Sequence, residues 1–334
     1  MLRRTADLKS IAEELGLSIS TVSRALKGDP KVTPGTQARV NEAADRLGYR
    51  RNMRGVNLRT GKTFTLCAQL ISNPSPDFGD PAAMHLIQGL IAGTAGTEFK
   101  VVIRPVANTE DQLQACRDTV MDGRFDGFVL DHTEPDDRRA HYLMERGLPL
   151  VTFGRTGLEG HGWFDIDNED AALVATRHLI AAGHTRIALI GPPERFNFAS
   201  QRVVGYRMAL GEAGIAYDPS LVVAMDIDVR TVRERVGQML ALPDRPTGFV
   251  SSNELATVGT IRACRDLPAA DYARCGFVSR DGTNLFDYLQ PPVSSIYFPL
   301  LEAGRQISSD LVSLVHGAPP ESIRELRQAV LIPR

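Results

Sequence analysis

From residue 65 to residue 316 the chain alternates apolar β-type runs with amphipathic stretches, and no other feature restricts its fold as much. Apolar runs bounded by turn residues at 65–71, 100–106, 126–132, 148–154, 164–167, 186–191, 221–227, 248–253, 275–279 and 294–298 read as strands. Between them, helical spacing of apolar residues predicts helices at 81–97, 110–122, 136–146, 169–182, 199–213, 229–242, 255–265 and 300–316. Strand and helix in such alternation make an α/β fold of doubly wound parallel sheets covered by helices. About ten strands crowd a single twisted sheet, so two lobes are expected.

The first 62 residues follow a different pattern. Leu8, Ile11, Ala12 and Leu15 share one helical face, and Gly16 follows where a sharp turn wants a residue that tolerates positive φ. Ser18 or Ser20 can cap a second helix. Its apolar side is Val22, Ala25 and Leu26; its other side carries Ile19, Ser20, Ser23, Arg24 and Lys27. A third helix over 33–47 presents Val40, Ala43, Ala44 and Leu47, with Pro34 in the first turn. The stretch is either an ordinary helical hairpin with a solvated face or a helix-turn-helix whose second helix enters a DNA major groove. Charge favours the second. Residues 1–62 hold 13 Lys/Arg against 6 Asp/Glu, which leaves 25 against 34 for the rest of a chain with 38 and 40. A basic head on an acidic body suits a DNA-binding module joined to a body that phosphates repel.

The 334 residues suffice for two or three domains. No apolar run reaches the ~18 residues of a membrane span, and the polar start lacks a secretory segment, so a cytoplasmic location is expected. Cys67, Cys116, Cys264 and Cys275 are scattered without a C-x-x-C and read as free thiols. Phosphate-loop, dinucleotide-fold, zinc-protease and nucleophile-elbow motifs are missing, and the seven histidines lack metal-ligand spacing. No catalytic residue, cofactor or metal is therefore expected.

The headpiece resembles the lactose-repressor (LacI/GalR) family. The resemblance is carried by the run from Ser18 through Thr21-Val22-Ser23-Arg24-Ala25-Leu26, by Val32-Thr33, Arg39-Val40, Ala43-Ala44 and Leu47-Gly48-Tyr49, and by Asn52 and Leu58. It continues through Asp167-Asn168-Glu169-Asp170, Gly183-His184-Thr185-Arg186, Arg202 with Gly205-Tyr206, Pro291-Pro292-Val293 and Gly304, and so covers essentially the whole chain. It implies a headpiece at 1–50, a hinge or linker at 51–62, and a two-lobed, periplasmic-binding-protein-like effector and dimerisation domain at 63–334. The first lobe is expected at 63–164 plus 293–322 and the second at 165–292 plus 323–334. Read from composition alone, 51–62 is an interdomain tether. By resemblance it is a hinge helix that folds on DNA and places Leu58 in the minor groove, with Asn52 and Arg54 beside it. The family usually has proline at Arg51 and alanine at Gly55, and glycine costs about 1 kcal/mol in a helix interior, so this hinge is expected to depend more on DNA. Ile19, Ser20 and Arg24 are expected at base edges; Lys9, Thr21, Ser23, Lys31 and Thr36 at phosphates; Ser18 and Lys27 complete the face.

Ligands of open α/β sheets bind beyond the carboxyl ends of the strands. The loops there offer Asp77, Phe78, Arg155, Arg195, Phe198, Arg202, Asn253 and Asp281 as effector contacts. Planar polar groups bond sugar hydroxyls while an aromatic ring covers the apolar face. By resemblance, Arg202 and Asn253 hold sugar hydroxyls and Arg195 lies near a second contact. Val278 stands where the family has an aspartate, with Asp281 as its substitute, and Gly154 replaces another. Gly154-Arg155-Thr156, Asp165-Ile166-Asp167-Asn168 and Arg195-Phe196-Asn197-Phe198-Ala199 resemble the α-glucoside-regulator branch. Asp165 and Asp167 otherwise read as strand-end caps, His184 as a turn residue, and Arg202 as half of a structural ion pair.

The reading is a repressor of carbohydrate-utilisation genes. It would bind an inverted-repeat operator as a homodimer under control of a mono- or disaccharide, without a membrane partner. A chain ending at Ile332-Pro333-Arg334 without a heptad tail favours dimer over tetramer. The alternatives are a sugar-modifying enzyme with an accessory DNA-binding head, which lacks a turnover constellation, and a sugar-transport component, which the basic head opposes.

Overall fold

The computed structural model describes residues 6–49, 61–72 and 81–334. The chain divides into two compact units, 1–62 and 63–334. In the first, α1 (Leu8–Leu15), α2 (Ile19–Ala25) and α3 (Pro34–Leu47) close around buried Ile11, Ala12, Val22, Ala25, Val32, Val40, Ala43 and Ala44. Asp7 caps α1, Ser18 caps α2 through the Thr21 amide, and Thr33 caps α3. Gly16 ends α1 at φ 64°, where a Cβ would be strained. Of the two serines considered as caps, Ser18 takes the role; the Ser20 hydroxyl bonds the Ser18 hydroxyl at 2.8 Å.

The second unit holds two six-stranded sheets. The first uses β1 (Thr65–Ser72), β2 (Lys100–Ala107), β3 (Gly127–Leu130), β4 (Leu150–Phe153), β5 (Gly162–Ile166) and β11 (Arg324–Arg327), in the order β11-β5-β4-β3-β1-β2. Helices α4 (Pro81–Gly93), α5 (Gln112–Met121), α6 (Arg138–Glu145) and α12 (Leu300–Val315) belong with it. The second uses β6 (Ile187–Gly191), β7 (Val222–Ala224), β8 (Gly248–Ser251), β9 (Gly276–Asp281), β10 (Ser294–Tyr297) and β12 (Val330–Ile332), in the order β12-β10-β9-β8-β6-β7. Its helices are α7 (Asn168–Ala181), α8 (Asn197–Glu212), α9 (Val229–Leu240), α10 (Glu254–Cys264) and the short α11 (Ala269–Tyr272). All pairs are parallel except β10 with β12.

Strand periodicity builds the second lobe's two cores. Ile187, Leu189, Val250 and Val278 pack under α7 and α8 around buried Tyr206, whose hydroxyl donates to the Ile187 carbonyl at 2.8 Å. Their strand neighbours Ala188, Ile190, Phe249 and Phe277 point to the other face, against Val232 and Val236 of α9.

The expected lobe boundaries need correction at the C-terminal end. The strand expected at 294–298 in the first lobe pairs instead with β9 and β12 in the second. The chain crosses back only after it, at Pro299, which cannot donate to a ladder and precedes α12. The segment 323–334, expected whole in the second lobe, is divided: β11 adds to β5 and β12 to β10. Neither strand was read from sequence. β11 is Arg-Glu-Leu-Arg, a polar edge strand without apolar alternation, and β12 has three residues. The first lobe also keeps β5 to Ile166 rather than ending at 164.

Candidate functional site

The exposed side of α2 is polar and basic. Ser18, Ile19, Ser20, Arg24 and Lys27 are exposed, as are Lys9 on α1 and Lys31; Thr21, Ser23 and Thr36 are half-buried. Ile19 is 49% exposed, an apolar side chain with no core to fill in its own unit. Lys9 meets Glu13 at 3.6 Å, a solvated pair worth little. Among the described residues, Arg24, Lys27 and Lys31 enter no ion pair, so their charges are available to a polyanion. Asn52, Arg54 and Leu58 lie outside the described residues, as do Asp77 and Phe78.

In the second unit, β1 lies between β2 and β3, and β6 between β7 and β8. Successive crossovers depart in opposite directions at these points and open a crevice at the strand ends. There the lobes enclose a cavity of about 350 Å³. β3 delivers Asp131 and His132, β5 Asp165, β8 Ser252 and Asn253, β9 Arg280, and the start of α8 Phe196, Phe198 and Arg202.

The aromatic wall is a cluster. Phe196 and Phe198 stack with centroids 5.9 Å apart, and His132 meets them edge-on at 5.3 and 5.5 Å. His132 holds φ at 47°, an uncommon backbone state for a side-chain-bearing residue, and its Nδ1 lies 3.0 Å from Asp131. The Arg202 guanidinium sits 5.0 Å from the Phe198 centroid, donates from Nε to Asn168 Oδ1 at 3.0 Å, and reaches the Ser252 carbonyl at 3.5 Å. Burial, and then the nearby Arg280 charge, push the Arg202 guanidinium down to about 9, which leaves it charged at neutral pH. Asn253 caps α10 with its side-chain oxygen, leaving its amide N–H groups for the cleft.

Phe198, Arg202 and Asn253 of the expected effector residues therefore line one cavity, and the rest of the described ones do not. Arg155 stands behind the wall, its Nε donating to Asp165 at 2.8 Å. Burial pushes the Asp165 carboxyl above its ordinary value despite this bond. Asp165 also accepts the Arg155 and Ile166 amides, so it organises the strand end rather than only capping it. Arg195 lies beside the cavity, 4.4 Å over the Phe196 ring and 3.6 Å from Glu134. Asp281 is a correction: it is 1% exposed and accepts the Thr283 and Asn284 amides at 2.9 Å, so it shapes the loop after β9 instead of facing ligand. Asp167 caps α7, and His184 bonds Thr247 at 2.9 Å beside the close Gly248 and Gly276 backbones, a turn role. Sequence reasoning passed over Asp131, His132 and Ser252; Arg280 was legible as a residue following the strand at 275–279 but was not among the expected effector contacts. The first two end a strand that was recognised, but its place beside β1 was not.

Among the described residues no group of three or more His, Cys, Asp or Glu could hold a metal, and no helix is long and apolar enough to cross a membrane.

Residues 7–52 match the model of bacterial regulatory proteins of the lacI family, and residues 176–334 that of a periplasmic binding protein-like domain. The chain is 32% identical over 337 residues to the HTH-type transcriptional regulator AglR of Rhizobium meliloti (strain 1021), covering 98% of this chain and 93% of that protein. It is 31% identical over 331 residues to the HTH-type transcriptional regulator RafR of Escherichia coli, covering 95% and 94%. The structure of the transcriptional regulator CelR–cellobiose complex superimposes with a TM-score of 0.72 at 26% identity, over 98% of this chain and 99% of that one.

Proposed function

This chain belongs to the lacI family of bacterial regulatory proteins, and from that premise we propose that it is a cytoplasmic repressor of carbohydrate-utilisation genes, binding operator DNA as a homodimer under control of a mono- or disaccharide. The observation that carries the DNA half is the outward face of α2, where Ile19, Ser20 and Arg24 are exposed and Arg24 has no acidic partner among the described residues. A guanidinium there can bond guanine O6 and N7 in the major groove, while Ile19 packs on a thymine methyl. Lys9, Thr21, Ser23, Lys31 and Thr36 hold phosphates, with Ser18 and Lys27 at the edges of the footprint. The hinge residues Asn52, Arg54 and Leu58 enter the minor groove at the operator centre.

The effector half rests on the Phe198–Arg202–Asn253 wall, which joins an aromatic face to hydrogen-bond donors in a cavity of disaccharide size. The likeness to a CelR structure that contains cellobiose supports a glucoside-type sugar. Closure of the lobes on the sugar changes the pairing of two copies and hence operator affinity. The reading is of a regulator rather than an enzyme, which its similarity to HTH-type transcriptional regulators supports.

Selection of operator sequences from a random duplex pool tests the reading. The whole protein is expected to enrich an inverted repeat, and Arg24→Ala to lose ~1–3 kcal/mol and its preference at one position per half-site. A motif unchanged by Arg24→Ala would remove that residue from base recognition; failure to enrich any sequence would sink the DNA-binding reading.

A further inference from the structure

We infer that the cleft contains an oxyanion subsite, in which Arg202, Arg280 and the Ser252 hydroxyl recognise a phosphate or carboxylate group on the sugar. This rests on the reading of the cleft as the effector site and narrows the ligand to an anionic sugar.

The two arginines line the same cavities, one from α8 and one from β9. Among the described residues the Arg202 guanidinium bonds neutral acceptors, the Asn168 side chain and the Ser252 carbonyl, and lies over the Phe198 ring. Arg280 is half-buried, and its side chain forms no hydrogen bond or ion pair among the described residues. Its charge acts on Arg202 more strongly than the opposing charge of Asp165 does, so two like charges share a partly desolvated wall with only partial compensation. Such a pair costs free energy unless something compensates it.

Asp165 and Asp131 are committed elsewhere, and the third acid of the cleft, Asp226, pairs with neither arginine. Asp165 is taken by the Arg155 side chain and amide, the Ile166 amide and the Asn168 side chain, and Asp131 by the Ile71 amide and His132. Asp226 is exposed. The Ser252 hydroxyl, on a residue 7% exposed in the same wall, has no partner among the described residues. Two guanidinium forks and a buried hydroxyl donor, all without an acidic partner, are what an oxyanion needs. Planar forks bond two oxygens at once, and bonds to charged acceptors are the stronger ones. A neutral hydroxyl would leave the excess charge uncompensated.

Titration calorimetry on the whole protein tests this with glucose, galactose and maltose, each beside its 6-phosphate, and with glucuronate and galacturonate. The phosphate and uronate arms distinguish the two sources of the oxyanion. The expected result is at least one anionic sugar binding about tenfold to a hundredfold tighter than its neutral parent. Added potassium chloride should shrink that preference. Arg280→Gln is expected to bring the ratio of anionic to neutral affinity close to one, and Arg280→Lys to restore part of that ratio. Neutral sugars that bind as tightly as their anionic partners, or a preference that survives Arg280→Gln, would overturn the subsite and leave the sugar cleft standing. If no sugar of either kind binds, the effector reading fails and this one with it. A thermal melt of Arg280→Gln matching the parent excludes misfolding as the cause of any loss.

Discussion

Gly205 is the point where α7 and α8 come closest, and replacing it with alanine should damage both stability and the cleft. A Cβ built there would lie 1.9 Å from the Glu169 carbonyl oxygen and 3.0 Å from the Leu173 amide nitrogen. Ordinary contact begins at 3.4 Å, and the obstacle is backbone that cannot rotate aside. The helices would have to part by more than an ångström. Overpacking of this kind costs typically ~1–3 kcal/mol, and a backbone-to-backbone clash belongs at the top of that range or above it. Alanine returns about 1 kcal/mol of helix propensity, so the net loss should be about 2 kcal/mol or more. For a unit of this size that lowers the melting temperature by roughly 4–8 °C. Gly237, inside α9 with nothing within 4 Å of its built Cβ, is the control. Gly237→Ala has the propensity gain without the clash and should raise stability by ~0.5–1 kcal/mol. Parting α7 from α8 also pulls Asn168, which opens α7, away from the Arg202 guanidinium it accepts from at 3.0 Å. Effector affinity should therefore fall with Gly205→Ala and not with Gly237→Ala. Thermal melts of the two variants, followed by calorimetry with any bound sugar, decide the matter. A Gly205→Ala protein that melts at or above the parent would refute the close-approach argument.

Asp137 and Arg139 form a buried pair, each 2% exposed, with contacts of 2.7 and 3.1 Å. Asp137→Asn strands the Arg139 charge and should cost ~3–5 kcal/mol at neutral pH. Burial alone would push the Asp137 carboxyl up, but the hydrogen bonds and charge of Arg139 outweigh it and hold it below 3.8. With the folded value depressed, the stabilisation is complete above the unfolded value and is lost as pH falls below it. Denaturant melts from neutral pH downward should thus show an acid-dependent decline below pH ~4 that is weaker in Asp137→Asn; equal slopes would count against the pair as its source. Ser18→Ala removes the acceptor of the Thr21 amide and should destabilise the headpiece by ~1 kcal/mol, read as faster hydrogen exchange at that amide. Phe198→Ala removes the ring stacked on Phe196 and lying under Arg202, and should weaken sugar binding by about tenfold in calorimetry; unchanged affinity would place the sugar elsewhere.

The cleft shows how unevenly sequence exposes a site. Phe198 and Arg202 were legible because they share one loop-to-helix segment, where local spacing carries the signal. Asn253 was legible as a strand end followed by a helix. Asp281 misled because a carboxylate beside a strand end looks the same in sequence whether it faces a ligand or its own loop amides. His132 went unread, and Arg280 was placed at a strand end without a role, because their meaning depends on neighbours. His132 matters through rings more than sixty residues away, and Arg280 through having no acidic partner among the described residues.

Local physics determined the alternation of strands and helices, the stop at Gly16, a serine cap at Ser18 or Ser20, and the polar outer face of α2. Each rests on residues within a few positions of one another, so periodicity and backbone preference suffice to specify it. Tertiary structure alone decided which sheet receives β10, how β11 and β12 divide between the lobes, and which charged side chains in the cleft are already paired. Those outcomes depend on hydrogen-bond partners and charges distant along the chain, and an edge strand as short as β12 carries too few residues to announce its partner.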